Sequence, residues 1–542
     1  MPSSPFRSAA AWLIFAVVLA PLVALWLPSE RGFRSPAAQV QSPKSNSAAA
    51  PSAAGKNEQA PAGVSWRTLC ASLLVSAGAA TLAVVIGGSA AAVLSLTDLP
   101  GRSFWATAFA IPFLAPSTVW ALGQSYCYGA GGLIERILGD AWRPWWSRID
   151  QGGYLGVALV LGEIYAPLAL VLIGRGMAGF EQAGFESARL YLSPAKLVWW
   201  TAGAVRQELA ASFLLAFALA LGNFTVPNVL QCRLYPIEIY LRLTNYLDRT
   251  GAVRAATPLL AACLLATALV VLAERKRAYA SATTAPALPP IELGRKAWLV
   301  GAALAIYLTL SCAAPLAAMI WQCRSVGDFM AALRDAAPET DNTLRVALAT
   351  AALAAAAAGV TSAWLTERKR AFGPLLAMIP LSLPALILGL AYARFYNRDW
   401  PIDLARLGDT KALVVIGLAA HSWPFATRVL VSGRRRAASE WLEAASLAPL
   451  GRLARWRWIV GPLFADHFAA AALLAFVLAT GEVEISQLLC APGDGTLALR
   501  LFTFLHFGPT HVSASLAVLQ LAITVLPVVA YWLFTNRSLR II

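Results

Sequence analysis

Charged side chains are scarce in this chain. Asp, Glu, Lys and Arg make up 13% of the 542 residues, whereas about 25% is usual in soluble domains. Because a water-soluble core needs a charged surface around it, this scarcity excludes a single soluble domain.

Residue types that carry out chemistry are also few. The chain has four histidines and seven cysteines, and the cysteines form no CxxC pair and no zinc-ligand spacing. No H-E-x-x-H or G-x-S-x-G motif occurs, so the converging nucleophiles, acids or metal ligands that catalysis needs are not indicated. We therefore expect that the chain is not an enzyme and has no metal site.

A nucleotide-binding loop of the G-x-x-x-x-G-K-[ST] type is missing as well. The only Gly-Lys pair, Gly55-Lys56, is followed by Asn57. No cofactor is expected on this chain, and an ATP-driven step would have to use ATP bound by a partner subunit.

Long apolar runs fill the sequence instead. Hydrophobic residues make up 58% and the mean hydropathy is +0.63. Runs of about 20 residues are long enough to cross a hydrocarbon layer of about 30 Å as a helix. Because lipid admits only helices and closed barrels, these Ala- and Leu-rich runs predict an all-α polytopic membrane protein. About twelve transmembrane helices are expected, at 10–28, 68–95, 105–127, 153–174, 208–230, 254–273, 297–321, 342–365, 374–393, 411–432, 466–489 and 513–534.

The distribution of basic residues predicts the orientation. The formal net charge is +15, and basic clusters at 274–277, 367–370 and 434–436 are separated by two predicted spans each. Cytoplasmic loops collect Lys and Arg, so the clusters indicate one cytoplasmic face and contact with membrane lipid rather than nucleic acid. The run 10–28 exceeds the usual length of a signal-peptide core. We interpret it as a retained helix, which leaves both termini cytoplasmic.

The two halves of the sequence repeat each other. IPFLAPSTVWALG (111–123) is echoed by IPLSLPALILGLA (379–391), and LLAFALALG (214–222) by LLAFVLATG (473–481). Both offsets lie near 260 residues, which indicates a repeat over essentially the whole chain. An even number of spans per half predicts a direct repeat of two six-helix modules, related by an axis along the membrane normal.

The repeat sets the expected domain boundaries. The N-terminal module is 1–273, with an external insertion at 29–65, and the C-terminal module is 297–542. A cytoplasmic linker at 274–296 joins the two modules.

A charged cytoplasmic loop recurs at 176–207 and at 433–465. In the second copy a short helix carries Glu443-Ala444-Ala445 and is expected to stop near Pro449 and Gly451, because a residue that precedes proline is pushed out of the α region. A second short helix follows at 452–460, and Pro462 lies where the next span begins, a position that tolerates proline. A solvated loop explains the arginines alone, whereas the recurring Glu, break and following helix favour a docking surface for a soluble protein.

These residues carry a family resemblance. Glu443-Ala444-Ala445 followed by Ile459-Val460-Gly461-Pro462 resembles the EAA loop of binding-protein-dependent ABC importer permeases, E-A-A, three residues, Gly, nine residues, I-x-L-P. The whole chain is similar to the fused, two-module permeases of the ferric-iron and thiamine type. In the second loop Pro449 stands in place of the family glycine.

The first loop departs further from the family pattern. Glu186-Ser187-Ala188 stands for E-A-A, Leu192 replaces the glycine, and Val205 replaces the final proline. Our hypothesis is that both loops dock and that the second couples more strongly.

The resemblance implies a mechanism and partners. Each loop would insert into a groove on an ATPase subunit, two per permease, and an extracytoplasmic binding protein would deliver the solute at the bacterial inner membrane. Ferric iron, thiamine and small phosphonates or other anions remain open as solutes, and the overall layout is most similar to the ferric-iron branch. The alternative is a twelve-helix, ion-coupled secondary transporter.

Ionisable groups inside the membrane are candidates for the solute pathway. Glu163 lies in the fourth predicted span, where a structural hydrogen bond is the favoured interpretation, and Glu482 and Glu484 lie at the outer end of the eleventh. His421 and His467 are expected to be packing or interfacial residues. Cys232 and Cys490 occupy matching positions in the two halves, and whether they form a disulfide stays open, since sequence does not give the geometry.

Overall fold

Helices make up most of the chain where the structure describes it. This computed structural model describes residues 5–26, 65–139, 153–180, 182–275, 291–367, 383–396, 410–436, 447, 449–491 and 493–535, and these ranges contain no β-strand. The predicted all-α class is confirmed.

Eight helices in the described ranges are long and apolar enough to cross a membrane. Two further pairs of helices pass the same test together but are sharply bent, which gives up to ten spans if each pair counts as one. The protein is therefore a polytopic membrane protein, and the number twelve stays a prediction. The eight helices are Trp66–Leu96, Tyr154–Ala178, Thr250–Leu272, Gly294–Gln322, Ala337–Leu365, Lys411–Arg434, Gly461–Thr480 and Thr510–Phe534.

The first half is organised around two long helices, α2 (Trp66–Leu96) and α6 (Tyr154–Ala178), which pack along each other with α9 (Arg206–Gly222) beside them. Small residues allow this close approach: a Cβ at Gly87 of α2 would overlap the carbonyl oxygen of Ala166, and one at Gly162 of α6 would lie 2.8 Å from Leu82 Cβ. The helices are α1 (Pro5–Ala24), α2 (Trp66–Leu96), α3 (Arg102–Leu114), α4 (Ser117–Tyr128), α5 (Leu133–Leu138), α6 (Tyr154–Ala178), α7 (Gln182–Tyr191), α8 (Pro194–Ala204), α9 (Arg206–Gly222), α10 (Thr225–Val229), α11 (Tyr235–Thr244) and α12 (Arg249–Arg275).

The second half is organised around α16 (Ala337–Glu367), α18 (Lys411–Arg436) and α20 (Gly461–Thr480), which contact one another pairwise. Its first long helix contains a π-helical turn, Thr309–Ala313, between α13 and α14, and another π-helical turn, Trp456–Val460, leads into α20. The helices are α13 (Ala297–Leu308), α14 (Ala314–Gln322), α15 (Val326–Asp335), α16 (Ala337–Glu367), α17 (Ala385–Tyr396), α18 (Lys411–Arg436), α19 (Arg452–Arg455), α20 (Gly461–Thr480), α21 (Glu484–Leu489), α22 (Leu497–Phe507) and α23 (Thr510–Thr535).

The opening helix of each half packs on the other half. Helix α1 lies on α16 and α17, where the Phe15 ring centroid is 5.6 Å from that of Trp364 and 5.2 Å from that of Trp423. Helix α14 lies on α4, so close that a Cβ at Gly123 would be 2.9 Å from Met319 Sδ. The two halves are therefore interlocked rather than merely adjacent.

Several predicted spans are broken. The expected span 105–127 is divided at Ala115 and Pro116, and the two helices on either side are bent by 99°. Ala115 has an extended backbone, φ −72° and ψ 141°, which is the conformation that a following proline favours. Helices α9 and α20 also end before the expected limits, at Gly222 and Thr480, and short helices α10 and α21 follow them.

The end of the linker is attached to the first half. Ile291 forms a parallel bridge with Thr97, its N–H donates to the Leu96 carbonyl at 2.7 Å, and the Leu293 N–H donates to Asp98 Oδ1 at 2.8 Å. The predicted insertion, apart from its last residue, and linker residues 276–290 lie outside the described ranges.

Candidate functional site

The first predicted docking loop forms two short helices, α7 and α8, with a break between them. The Leu192 N–H donates to the Ala188 carbonyl at 2.9 Å, Ser193 is extended, and Pro194 opens α8 at its first position, where proline is well tolerated. The expected arrangement of helix, break and helix is therefore present in this copy.

Helix α7 buries some side chains against the bundle and presents others outward. Phe185 is fully buried, and its ring centroid lies 6.0 Å from Phe180 and 6.3 Å from Trp200. Glu186 and Ser187 are exposed, while Ala188 is buried. Phe185, which directly precedes Glu186, is not among the site residues predicted from the sequence.

The second predicted loop is described only in part. Glu443, Ala444 and Ala445 lie outside the described residues. Pro449 and Gly451 are exposed, and a Cβ added at Gly451 would meet no atom within 4 Å. The predicted helix at 452–460 appears as α19 and a π-helical turn that run directly into α20, whose second residue is Pro462.

A cavity of about 140 Å³ lies between the two halves of the chain. Its walls come from the α3–α4 break, from the ends of α9 and α20, and from the start of α17. Two glycine–proline contacts close its sides: a Cβ at Gly222 would lie 3.1 Å from Pro384 Cγ, and one at Gly481 would lie 2.8 Å from Pro116 Cβ. In each half the glycine that ends one repeated stretch thus meets the proline of the other repeated stretch in the opposite half.

Glu484 joins the two halves beside this cavity. Its Oε1 accepts the Phe224 N–H at 3.0 Å and the Thr225 hydroxyl at 3.3 Å. Its Oε2 accepts the Leu386 N–H at 2.9 Å. The carboxylate therefore caps the N-terminus of α10 from the first half and of α17 from the second, where helix N–H groups lack partners and negative charge is favoured.

Glu482 is oriented differently. Its Oε1 accepts the N–H groups of Glu484 and Ile485, at 3.0 and 3.4 Å. Its Oε2 lies 3.7 Å from His421 Nε2, which is longer than a hydrogen bond, and both side chains line the cavity. His421 was expected to be a packing or interfacial residue, and its position against Glu482 was not foreseen.

The first half also supplies polar side chains to the cavity wall. Asn223 follows α9 as Glu482 follows α20, and its Oδ1 accepts the Val226 N–H at 2.9 Å, which caps α10. Tyr165 also lines the cavity and donates its hydroxyl to the Leu219 carbonyl at 3.2 Å. Neither residue was among the sequence candidates, although the repeat marks Asn223 as the counterpart of Glu482.

Glu163 does not line this cavity. Its Oε2 accepts Gln124 Nε2 at 2.7 Å and Trp120 Nε1 at 3.3 Å. Gln124 also donates to the Ser311 carbonyl in the π-helical turn, at 3.1 Å. The structural hydrogen bonds favoured for this residue are present, and they tie α6 through α4 to the second half.

The seven cysteines, all of which lie in the described ranges, form no disulfide, and Cys232 and Cys490 are both buried. No group of three or more His, Cys, Asp or Glu side chains that could hold a metal ion occurs among the described residues.

No protein-family model matches this chain, and no curated protein is significantly similar to it. Fold and site together define a helical, polytopic membrane protein with a cavity between its two halves.

Proposed function

We propose that this chain is the transmembrane permease subunit of an ATP-driven ABC importer, located in the bacterial inner membrane. The observation that carries the proposal is the helix–break–helix form of α7 and α8, with Glu186 exposed on a helix that Phe185 anchors to the bundle. A short helix that is fixed on one face and open on the other suits the groove of a soluble ATPase subunit.

The pairing of helices supports two six-helix modules. In the first half α2 contacts α6 and α9, and α9 contacts α12; in the second half α16 contacts α18 and α20, and α20 contacts α23. Helix α10 contacts α4 as α21 contacts α17. This correspondence favours two equivalent modules with one docking loop each and twelve spans in all. Both termini are then on the same side of the membrane, and the basic clusters favour the cytoplasmic side.

The cavity supports a pathway along the boundary of the two modules. Nucleotide-driven closure of two ATPase subunits would rock the modules against each other, and the glycine–proline contacts and the Glu484 bonds lie where that motion would part them. An extracytoplasmic binding protein would supply the solute. Ferric iron, thiamine and small anions are the solute classes that the family resemblance leaves open.

A secondary, ion-coupled carrier is the second candidate. The Glu482–His421 pair favours it, because carriers driven by protons use membrane-embedded carboxylates and histidines. The two candidates differ in their need for an ATPase.

Gentle detergent extraction from native membranes, followed by mass spectrometry of the bound proteins, tests the proposal. We expect an ATPase with a nucleotide-binding loop to co-purify and to be lost from a Glu443→Lys variant. Glu292→Lys is the matched control, because Glu292 is an exposed carboxylate on the linker outside both loops. A chain that comes out alone, and transports in ATP-free vesicles under an imposed ion gradient, would establish the carrier instead.

A further inference from the structure

The cavity between the halves is one-sided in charge. Two carboxylates, Glu482 and Glu484, line it, and none of its described lining residues is Lys or Arg. Inside a membrane protein the effective dielectric is low, so this imbalance strongly affects which solute enters. An anion placed here would meet the Glu482 carboxylate without a compensating Lys or Arg among the described lining residues.

The two carboxylates differ in what they can offer to a solute. Glu484 is only 5% exposed, and both of its oxygens are occupied by backbone and hydroxyl donors from the two halves. Glu482 is held by two N–H groups on Oε1 alone. Its Oε2 has no hydrogen bond among the described residues, which leaves one fixed acceptor directed toward His421 and the cavity.

Aromatic rings complete the walls. Phe113 of the first half and Phe425 of the second both line the cavity, with ring centroids 6.5 Å apart. His421 stands 6.4 Å from Phe425, and its Nδ1 has no hydrogen-bond partner in the described part of the chain. A carboxylate beside aromatic faces is the combination that attracts an organic cation, through charge and through cation–π interaction.

A bare metal ion is a poorer match to these walls. Hard cations take several oxygen ligands, whereas only one carboxylate oxygen here is free of other bonds, and no metal-binding cluster occurs among the described residues.

We propose that this cavity binds the positively charged group of a small organic cation, with Glu482 as the counter-ion, His421 as the neighbouring polar contact and Phe113 and Phe425 as the aromatic walls. The inference rests on the proposed transport function, and it selects a cationic over an anionic solute.

Thiol reagents of matched size and opposite charge test the proposal without the solute or the ATPase. Ser117 lines the cavity, and Ser117→Cys places a nearly isosteric thiol there. The variant is made in a Cys70→Ser background, because Cys70 is the exposed native cysteine. The purified protein in detergent is then labelled with a trimethylammonium-ethyl or a sulfonato-ethyl methanethiosulfonate.

The ratio of the two labelling rates is divided by the same ratio measured on a free thiol in solution. We expect the cationic reagent to react at least about tenfold faster than the anionic one after this correction, because charged clefts enrich ions of opposite sign by about 10-fold or more. Glu482→Gln should abolish the preference and Glu482→Asp should keep it. The matched control is Glu163→Gln, which removes a membrane carboxylate outside the cavity and should leave the preference unchanged. The parent without Ser117→Cys gives the background rate.

Equal rates, faster reaction of the anion, or a preference that survives Glu482→Gln would overturn the proposal. Absence of reaction with either reagent would also overturn it, because the cavity would then be closed to small ions. None of these results touches the importer proposal, which depends on the ATPase extraction. Cation preference without a bound ATPase would instead describe a carrier of organic cations.

Discussion

The carboxylate of Glu484 should be one of the largest single contributors to the contact between the halves. Replacement by Ala leaves two buried backbone N–H groups, those of Phe224 and Leu386, without an acceptor. Each unsatisfied group costs about 1–3 kcal/mol. The free energy of unfolding should therefore fall by about 2–6 kcal/mol in Glu484→Ala, if the two penalties add.

Two milder variants should lower the free energy of unfolding by smaller amounts. Glu484→Gln keeps the shape and one acceptor oxygen, so one backbone N–H should stay paired and the loss should be about half as large. Thr225→Val removes only the hydroxyl that donates to Glu484 at 3.3 Å, which should cost about 1 kcal/mol.

Unfolding in mixed micelles with rising fractions of sodium dodecyl sulfate, followed by circular dichroism, gives the three midpoints. We expect the order Glu484→Ala, Glu484→Gln, Thr225→Val from the least to the most stable. If Thr225→Val were as damaging as Glu484→Ala, the backbone bonds to the carboxylate would not be the source of the stability, and Glu484 would not stabilise the protein by capping the two helices.

Two further predictions concern the docking loops and the walls of the cavity. Glu443→Lys should reduce the amount of ATPase that co-purifies at least about tenfold, because a reversed charge in an interface costs about 2–5 kcal/mol. Glu186→Lys should reduce this amount less. Equal losses of ATPase in the quantified extracts would contradict the hypothesis that the second loop couples more strongly. Gly481→Ala should destabilise the protein by about 1–3 kcal/mol in the same micelle titration, because the added Cβ would lie 2.8 Å from Pro116 Cβ. Gly451→Ala is the control and should leave the midpoint unchanged, because a Cβ there would have no atom within 4 Å.

The long spans could be predicted because hydropathy alone decides them. The runs at 68–95 and 342–365 correspond to α2 and α16, each extended by a few residues at its ends. The breaks within the spans were harder to predict from the sequence, because the apolar composition continues through them. Pro116 signals the break after α3 through its effect on the preceding residue. Helix α9 ends at Gly222 because Asn223 caps a new short helix, and hydropathy does not show where one helix ends and the next begins.

The cavity was predicted only in fragments. The sequence predicts Glu482 and Glu484 as costly charges within the membrane. It does not predict that they differ in their contacts: Glu482 faces His421, whereas Glu484 accepts hydrogen bonds from the ends of two helices. Those partners come from distant parts of the chain; Phe224 and Glu484 are separated by 260 residues. Sequence spacing carries no information on such pairs unless the repeat is used to align the halves.

The packing of α1 on the second half bears on how the protein is made. The carbonyl of Val17 in α1 receives the Tyr392 hydroxyl, 375 residues further on, and Phe15 rests against Trp364 and Trp423. During synthesis α1 is therefore made long before α16, α17 and α18 exist. Its packing against them can form only after most of the second half has been made, and a chain that stops at the linker lacks these contacts.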